Sequence, residues 1–108
     1  MRMDMDPKLW GPPGWEFLDA IVEGYPVTAD LKQRRQMIAF LNSLEDLLPC
    51  TVCRENYKAF IVQHNPQQYV DSKKLVREWL DEYKKKSSPI NRHLEDILSD
   101  VDMDLTYS

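Results

Sequence analysis

The apolar residues of this chain recur at three- and four-residue spacing almost from end to end. No segment keeps the strict alternation of a half-buried strand, so the fold has to be assembled from helices. Leu9-Trp10-Gly11-Pro12-Pro13-Gly14 reads as an opening loop punctuated by Pro and Gly. A first helix is predicted from Gly14 to Glu23, with Trp15, Leu18, Ile21 and Val22 on one face and Phe17 on its flank; Gly24 and Pro26 end it. Thr28 or Asp30 caps a second helix, striped by Leu31, Met37, Ile38, Leu41, Leu44, Leu47 and Leu48. A third starts at Cys50 and Cys53, turns Tyr57, Phe60, Ile61 and His64 inward, and stops at Asn65-Pro66. Asp71 or Ser72 caps a fourth, striped by Leu75, Val76, Trp79, Leu80 and Tyr83 and broken by Ser87-Ser88-Pro89. A shorter fifth helix is expected from Ile90 to Leu98, ahead of an acidic tail that frays. The prediction is an all-α, four-helix up-and-down bundle with a short fifth helix. It forms a single domain over 1–108, flexible at 1–8 and 99–108.

Charge and hydropathy exclude several function classes. A net charge of −4 argues against a nucleic-acid surface, which needs clustered excess Lys and Arg. Lys84-Lys85-Lys86 is the one basic run, and cations at a helix C-terminus complement its dipole. No apolar stretch approaches the ~20 residues of a membrane span. Met1-Arg2-Met3-Asp4-Met5-Asp6 is acidic and lacks the apolar core of a secretory leader, so an intracellular protein is expected.

Chemistry concentrates in Leu48-Pro49-Cys50-Thr51-Val52-Cys53, which holds both cysteines of the chain. A Cys-x-x-Cys on the first turn of a helix can close into a small reducible disulfide. Unpaired backbone N–H groups there favour a thiolate. Zinc would need His64 and His93 as further ligands, but His64 stands three turns along the same helix, roughly 16 Å away at 1.5 Å rise per residue. A thioredoxin-type site needs flanking strands, and both flanks have helical periodicity. The third option is a disulfide working with a bound cofactor. Trp10, Trp15, Tyr25, Tyr57, Trp79 and Tyr83 are many large rings for so small a bundle. Core packing accounts for them, and so does a flat aromatic cofactor held between helices.

The run from Trp10 to Leu18, then Gly24-Tyr25-Pro26, Phe40, and Leu48-Pro49-Cys50-Thr51-Val52-Cys53 resembles the Erv/ALR family of FAD-linked sulfhydryl oxidases. That family's pattern is W-G-x-x-x-W-x-x-L-H, then Y-P, a helix, and P-C-x-x-C. The resemblance covers roughly Leu9 to Ile61. It implies FAD seated at the mouth of the bundle, commonly a homodimer, and oxidation of protein dithiols to disulfides with O₂ reduced to H₂O₂. Cys50 would be the interchange thiol. Cys53 would leave as a thiolate, stabilised by the helix start, and lie against the flavin. Trp10, Trp15 and Tyr25 would line the flavin pocket, with Tyr57, Trp79 and Tyr83 as further candidates. The resemblance widens the choice of compartment to cytoplasm, a virus-associated setting or the mitochondrial intermembrane space.

Two departures from the family pattern stand out. Asp19 replaces the His that follows the first-helix Leu, and a carboxylate near the cofactor's pyrophosphate would repel it. The His-Asn motif that grips the adenosine half of FAD is also missing; Lys84, Lys85, Asn91 or His93 would have to substitute. With only one cysteine pair, these 108 residues would take electrons from an external dithiol protein or a thioredoxin-like relay. The competing expectation is an Erv-like helical module without FAD, acting as a partner-binding or dithiol-carrier protein.

Overall fold

Four helices account for most of residues 4–87, the part of the chain that this computed structural model describes. They are α1 (Pro7–Glu23), α2 (Leu31–Leu47), α3 (Thr51–Gln63) and α4 (Lys73–Lys86), with one 3₁₀ turn, Pro66–Gln68, between α3 and α4. The described residues contain no strand. The expected fifth helix, with Asn91 and His93, lies outside them.

The caps explain where each helix starts. Asp30 and Gln33 form a reciprocal capping box at α2, each side chain bonding the other's backbone N–H at 2.8 Å. Ser72, the second of the two predicted residues, caps α4 by accepting from Leu75 N–H at 3.2 Å. Cys50 is the N-cap of α3. The first helix departs from expectation: it opens at Pro7, capped by Asp6, and runs straight through Pro12 and Pro13. These prolines forfeit only the bonds to the carbonyls of Lys8 and Leu9, two exposed residues whose oxygens water can reach. Pro7 at the first helical position has its φ preset for the turn.

Packing pairs α2 with α3 and α1 with α4, and sets α2 against the 3₁₀ turn. The three-residue link Leu48–Cys50 makes α2 and α3 an antiparallel hairpin. Trp79, Tyr57, Leu80, Val70 and Val76 are the most deeply buried large side chains. Two members of the predicted α2 stripe, Leu31 and Leu47, are more than half exposed instead. Leu31 sits on the first turn of the helix, and Leu47 faces the cavity described below. The loops at one end of the hairpins are tied together. Ala29 N–H donates to Asp71 O, Lys73 N–H to Pro26 O, and the Tyr25 hydroxyl to Val70 O at 2.6 Å. No helix among the described residues is long and apolar enough to cross a membrane.

Candidate redox site and cofactor cavity

A largely apolar cavity of about 650 Å³ opens between α1, α2 and the start of α3. Its size suits a bound cofactor, since such sites run ~300–1,000 Å³. Helix α1 supplies Trp10, Gly11, Gly14, Trp15, Phe17 and Leu18; α2 supplies Phe40, Leu44 and Leu47; α3 supplies Cys53 and Asn56; α4 supplies Tyr83. The α1 spacing explains the wall. Trp10, Gly14 and Leu18 follow at four-residue intervals on one face, with Gly11 and Trp15 beside them. A Cβ built on Gly11 meets nothing within 4 Å, so the cavity extends up to the helix backbone at that point.

Cys50 and Cys53 are free thiols one helical turn apart. The helix start serves Cys50 rather than Cys53: the Cys53 N–H points at Cys50 Sγ, 3.3 Å away. The expected stabilisation of a Cys53 thiolate is therefore corrected. Burial pushes the Cys53 thiol up to about 12, with the hydrogen bond to Cys50 adding to the effect. Cys53, on the cavity wall, holds its proton at neutral pH, while Cys50 is only 8% exposed.

The structure separates the sequence candidates into two groups. Trp10, Trp15, Tyr83 and Cys53 share the cavity wall. Tyr25, Tyr57 and Trp79 lie off it, each with its polar atom spent on a backbone carbonyl. Tyr25 bonds Val70 O, Tyr57 bonds Leu41 O, and the Trp79 indole N–H bonds His64 O at 2.9 Å. Tyr57 and Trp79 instead back the wall: the Tyr57 ring stands edge-on to Tyr83 at 5.1 Å, and Trp79 lies 5.8 Å from it. Asp19 and Lys84 also lie off the wall, and they bind each other. Lys84 Nζ sits 2.8 Å from Asp19 Oδ1, and Arg77 Nη1 sits 2.9 Å from the same oxygen. Lys84 first, then Arg77, hold the Asp19 carboxyl below the usual carboxylate range. The expected repulsion of a phosphate by Asp19 is thus offset by two cations that link α4 to α1. Lys84 Nζ also lies 6.0 Å from the centre of the Trp15 ring, at the outer reach of a cation–π contact.

Leu44 and Leu47 line the cavity although their helical spacing reads equally as core, and Phe40, one of the residues that carry the family resemblance, joins them. Asn56 was detectable: it stands three residues after Cys53 and so shares its helix face. His64 is remote from the cysteines in role. It ends α3 and stacks on Phe60 at 4.4 Å, with a buried Nδ1 that has no partner. Among the described residues, no three His, Cys, Asp or Glu side chains group to hold a metal ion.

The pattern of the Erv1 / Alr family matches residues 13–102. The chain belongs to that family. Its similarity extends to proteins named as FAD-linked sulfhydryl oxidases, the viral ones provisionally so. The one from Acanthamoeba polyphaga mimivirus is 40% identical over 53 residues, covering 49% of this chain and 37% of that protein. The one from Invertebrate iridescent virus 3 is 33% identical over 74 residues, 68% of this chain and 50% of that protein. The mitochondrial FAD-linked sulfhydryl oxidase of Saccharomyces cerevisiae is 27% identical over 77 residues, 71% of this chain and 40% of that protein. The chain thus aligns with half or less of the length of each of these Erv1 / Alr relatives.

The buried phenols and thiol predict how this Erv1 / Alr chain responds to alkali. Burial raises Cys53, Tyr57, Tyr83 and Tyr25 alike. The unfolded chain releases these protons near the ordinary values of ~8.5 for Cys and ~10 for Tyr, so it binds fewer protons than the folded one there. Stability is therefore full below about pH 8.5 and falls as pH rises through 10 towards 12. Urea midpoints at pH 7, 9 and 10.5 should drop in that order. The drop should be smaller after Cys50 and Cys53 are joined, because Cys53 then has no proton to lose.

Proposed function

We propose that the chain is an FAD-dependent thiol oxidase that converts dithiols of a partner protein into disulfides and delivers the electrons to O₂ as H₂O₂. The observation that carries this reading is Cys53, the inner member of the lone Cys-x-x-Cys, standing on the wall of a cavity flanked by Trp10, Trp15 and Tyr83. The residues fit the cofactor. Its flat ring needs apolar and aromatic faces, and the wall offers five aromatic rings and the bare backbone at Gly11. When bound, FAD would supply the acceptor for the electron pair of the reduced cysteine pair and the route from it to O₂. Lys8, on the wall, and Lys84, 6.0 Å from the Trp15 ring, would be candidate cations for its phosphates, with Asn91 and His93 as further candidates.

The protein's own part is sulfur exchange. A partner thiolate attacks Cys50 Sγ, the Cys50–Cys53 bond breaks, and Cys53 leaves with the electron pair. The partner's second thiolate then attacks its own sulfur in the mixed disulfide and frees Cys50. The partner ends with one new disulfide, and the cysteine pair has gained two electrons and two protons. Burial raises the Cys53 thiol, so the released sulfur takes up a proton at neutral pH. The oxidase would act as a homodimer, on the family resemblance.

The test is colour and its loss on filling the cavity. The purified protein should be yellow with FAD and consume O₂ when given dithiothreitol. Gly11→Leu should fold at least as well, since a helix-interior Gly costs about 1 kcal/mol relative to good helix formers. The new Cβ meets nothing within 4 Å, and the rest of the side chain would enter the cavity that Gly11 lines, so flavin binding should be lost. A wild-type protein that stays colourless with added FAD overturns the oxidase reading and leaves the dithiol module. A Gly11→Leu protein that remains yellow places the flavin elsewhere.

A further inference from the structure

The sulfur that has to meet the partner is the more covered of the two. Cys50 is 8% exposed, and exchange needs an open approach to it. Both of its neighbours in sequence are engaged by one short stretch near the N-terminus. Met5 N–H donates to Pro49 O at 2.7 Å, and Asp4 Oδ1 accepts from both Thr51 N–H and Thr51 Oγ1, at 3.1 and 3.0 Å. The Arg54 guanidinium stands 3.9 Å from the same oxygen. The other end of the stretch is pinned to α1, where Asp6 caps the helix and the Trp10 indole N–H bonds Met5 O at 3.0 Å.

From this geometry we infer that Asp4–Asp6 is a strap which covers Cys50 and must be displaced before a partner thiol reaches it. An extended segment of the partner carrying a carboxylate takes over the strap's bonds. The strap shows what fits there: a backbone N–H for Pro49 O, and a carboxylate for the Thr51 N–H and Arg54. The Thr51 N–H is one that a helix start leaves without an intrahelical partner, so this donor is offered again each time the strap leaves. The strap is held weakly enough to leave. The Asp4 side chain is half exposed, Met5 is 52% exposed, and exposed ion pairs and caps are readily exchanged for water. The fit of an acid-bearing partner rests on the thiol-oxidase reading. The cover over Cys50 stands without it, and the experiment reads the cover alone.

The full chain is reduced and carries Cys53→Ser, so that Cys50 is its one thiol. Labelling rates are measured with iodoacetamide and with a polymer-bearing maleimide, with Asp4 intact and with Asp4→Ala. Labelling follows the fraction of time the thiol is open, so Asp4→Ala should speed the bulky reagent about tenfold and the small one less. Raising salt should narrow the gap by loosening the intact strap. Equal rates for the two proteins overturn the strap. So does a faster rate accompanied by equally faster amide exchange at Tyr57 and Phe60, since Asp4 would then brace the whole helix rather than cover one sulfur. None of these readouts involves flavin, so a colourless protein would sink the oxidase reading and leave this result standing.

Discussion

If the chain is the proposed thiol oxidase, Cys53→Ser should lower dithiol oxidation by about three orders of magnitude or more, because removing one member of a unit that acts together removes the whole route. Serine cannot close a bond to the Cys50 sulfur, so there is no disulfide for a partner thiolate to open. Cys50→Ser loses turnover as well, and the two variants differ in what they trap. With Cys53→Ser, Cys50 remains at the capped start of α3, where the helix points an N–H at its sulfur. Challenged with a partner already in its disulfide form, this variant accumulates a mixed disulfide that the introduced hydroxyl cannot resolve. With Cys50→Ser, the remaining thiol is Cys53, raised by burial and lining the cavity. It is a poor nucleophile at neutral pH, since the thiolate is the attacking form. Mass spectra under non-reducing conditions should show the adduct for Cys53→Ser and little for Cys50→Ser. Oxidation of a protein dithiol at the wild-type rate by either variant would exclude the disulfide route.

The elements of the fold were legible because their signals are local. Asp30, Ser72 and the Asn65-Pro66 stop each act within four residues, and so did the helix boundaries they set. The start of α1 was misread for the same reason. Gly11, Pro12, Pro13 and Gly14 all carry loop signals, and what outweighs them lies elsewhere: Trp10 held by Met5 O, Trp15 against Tyr83 at 5.2 Å, and the exposed carbonyls that need no proline N–H. The cavity was half legible. A Trp-Gly-x-x-x-Trp run beside a Cys-x-x-Cys indicated the right wall, but periodicity cannot say which apolar residues meet other side chains and which meet a void. Tyr57 and Trp79 differ from Tyr83 only in the direction they point around a shared core. The Asp19–Arg77–Lys84 cluster and the Asp4–Thr51 contact join residues 47 to 65 positions apart, and a single sequence carries no trace of such pairings.

Trp79 gives the sharpest test of whether the aromatic residues off the wall serve the core or the cofactor. It is 1% exposed, packs edge-on against Tyr57 at 6.1 Å and Phe60 at 5.4 Å, and donates its indole N–H to the carbonyl that ends α3. Trp79→Ala removes that packing and leaves a cavity, at a cost of about 3–5 kcal/mol for a large aromatic. The total stability of a domain is ~5–15 kcal/mol, so the variant should lie near or past its unfolding threshold. Trp79→Phe keeps most of the apolar surface but leaves the part-buried His64 O without its donor, and the cost approaches the ~1–3 kcal/mol of a fully buried unsatisfied acceptor only as far as water is kept out. Urea denaturation of the flavin-free protein decides between the roles. A residue whose work is to touch the cofactor can be changed without harm to the apo fold, and only flavin affinity then falls. Trp79 should behave the other way, with the apo midpoint falling for Phe and further for Ala. Flavin binding should weaken only as far as Tyr83, which leans on Trp79 from the cavity side, loses its support. An unchanged apo midpoint in Trp79→Phe together with lost flavin would return Trp79 to the cofactor's wall and require a different placement of the ring.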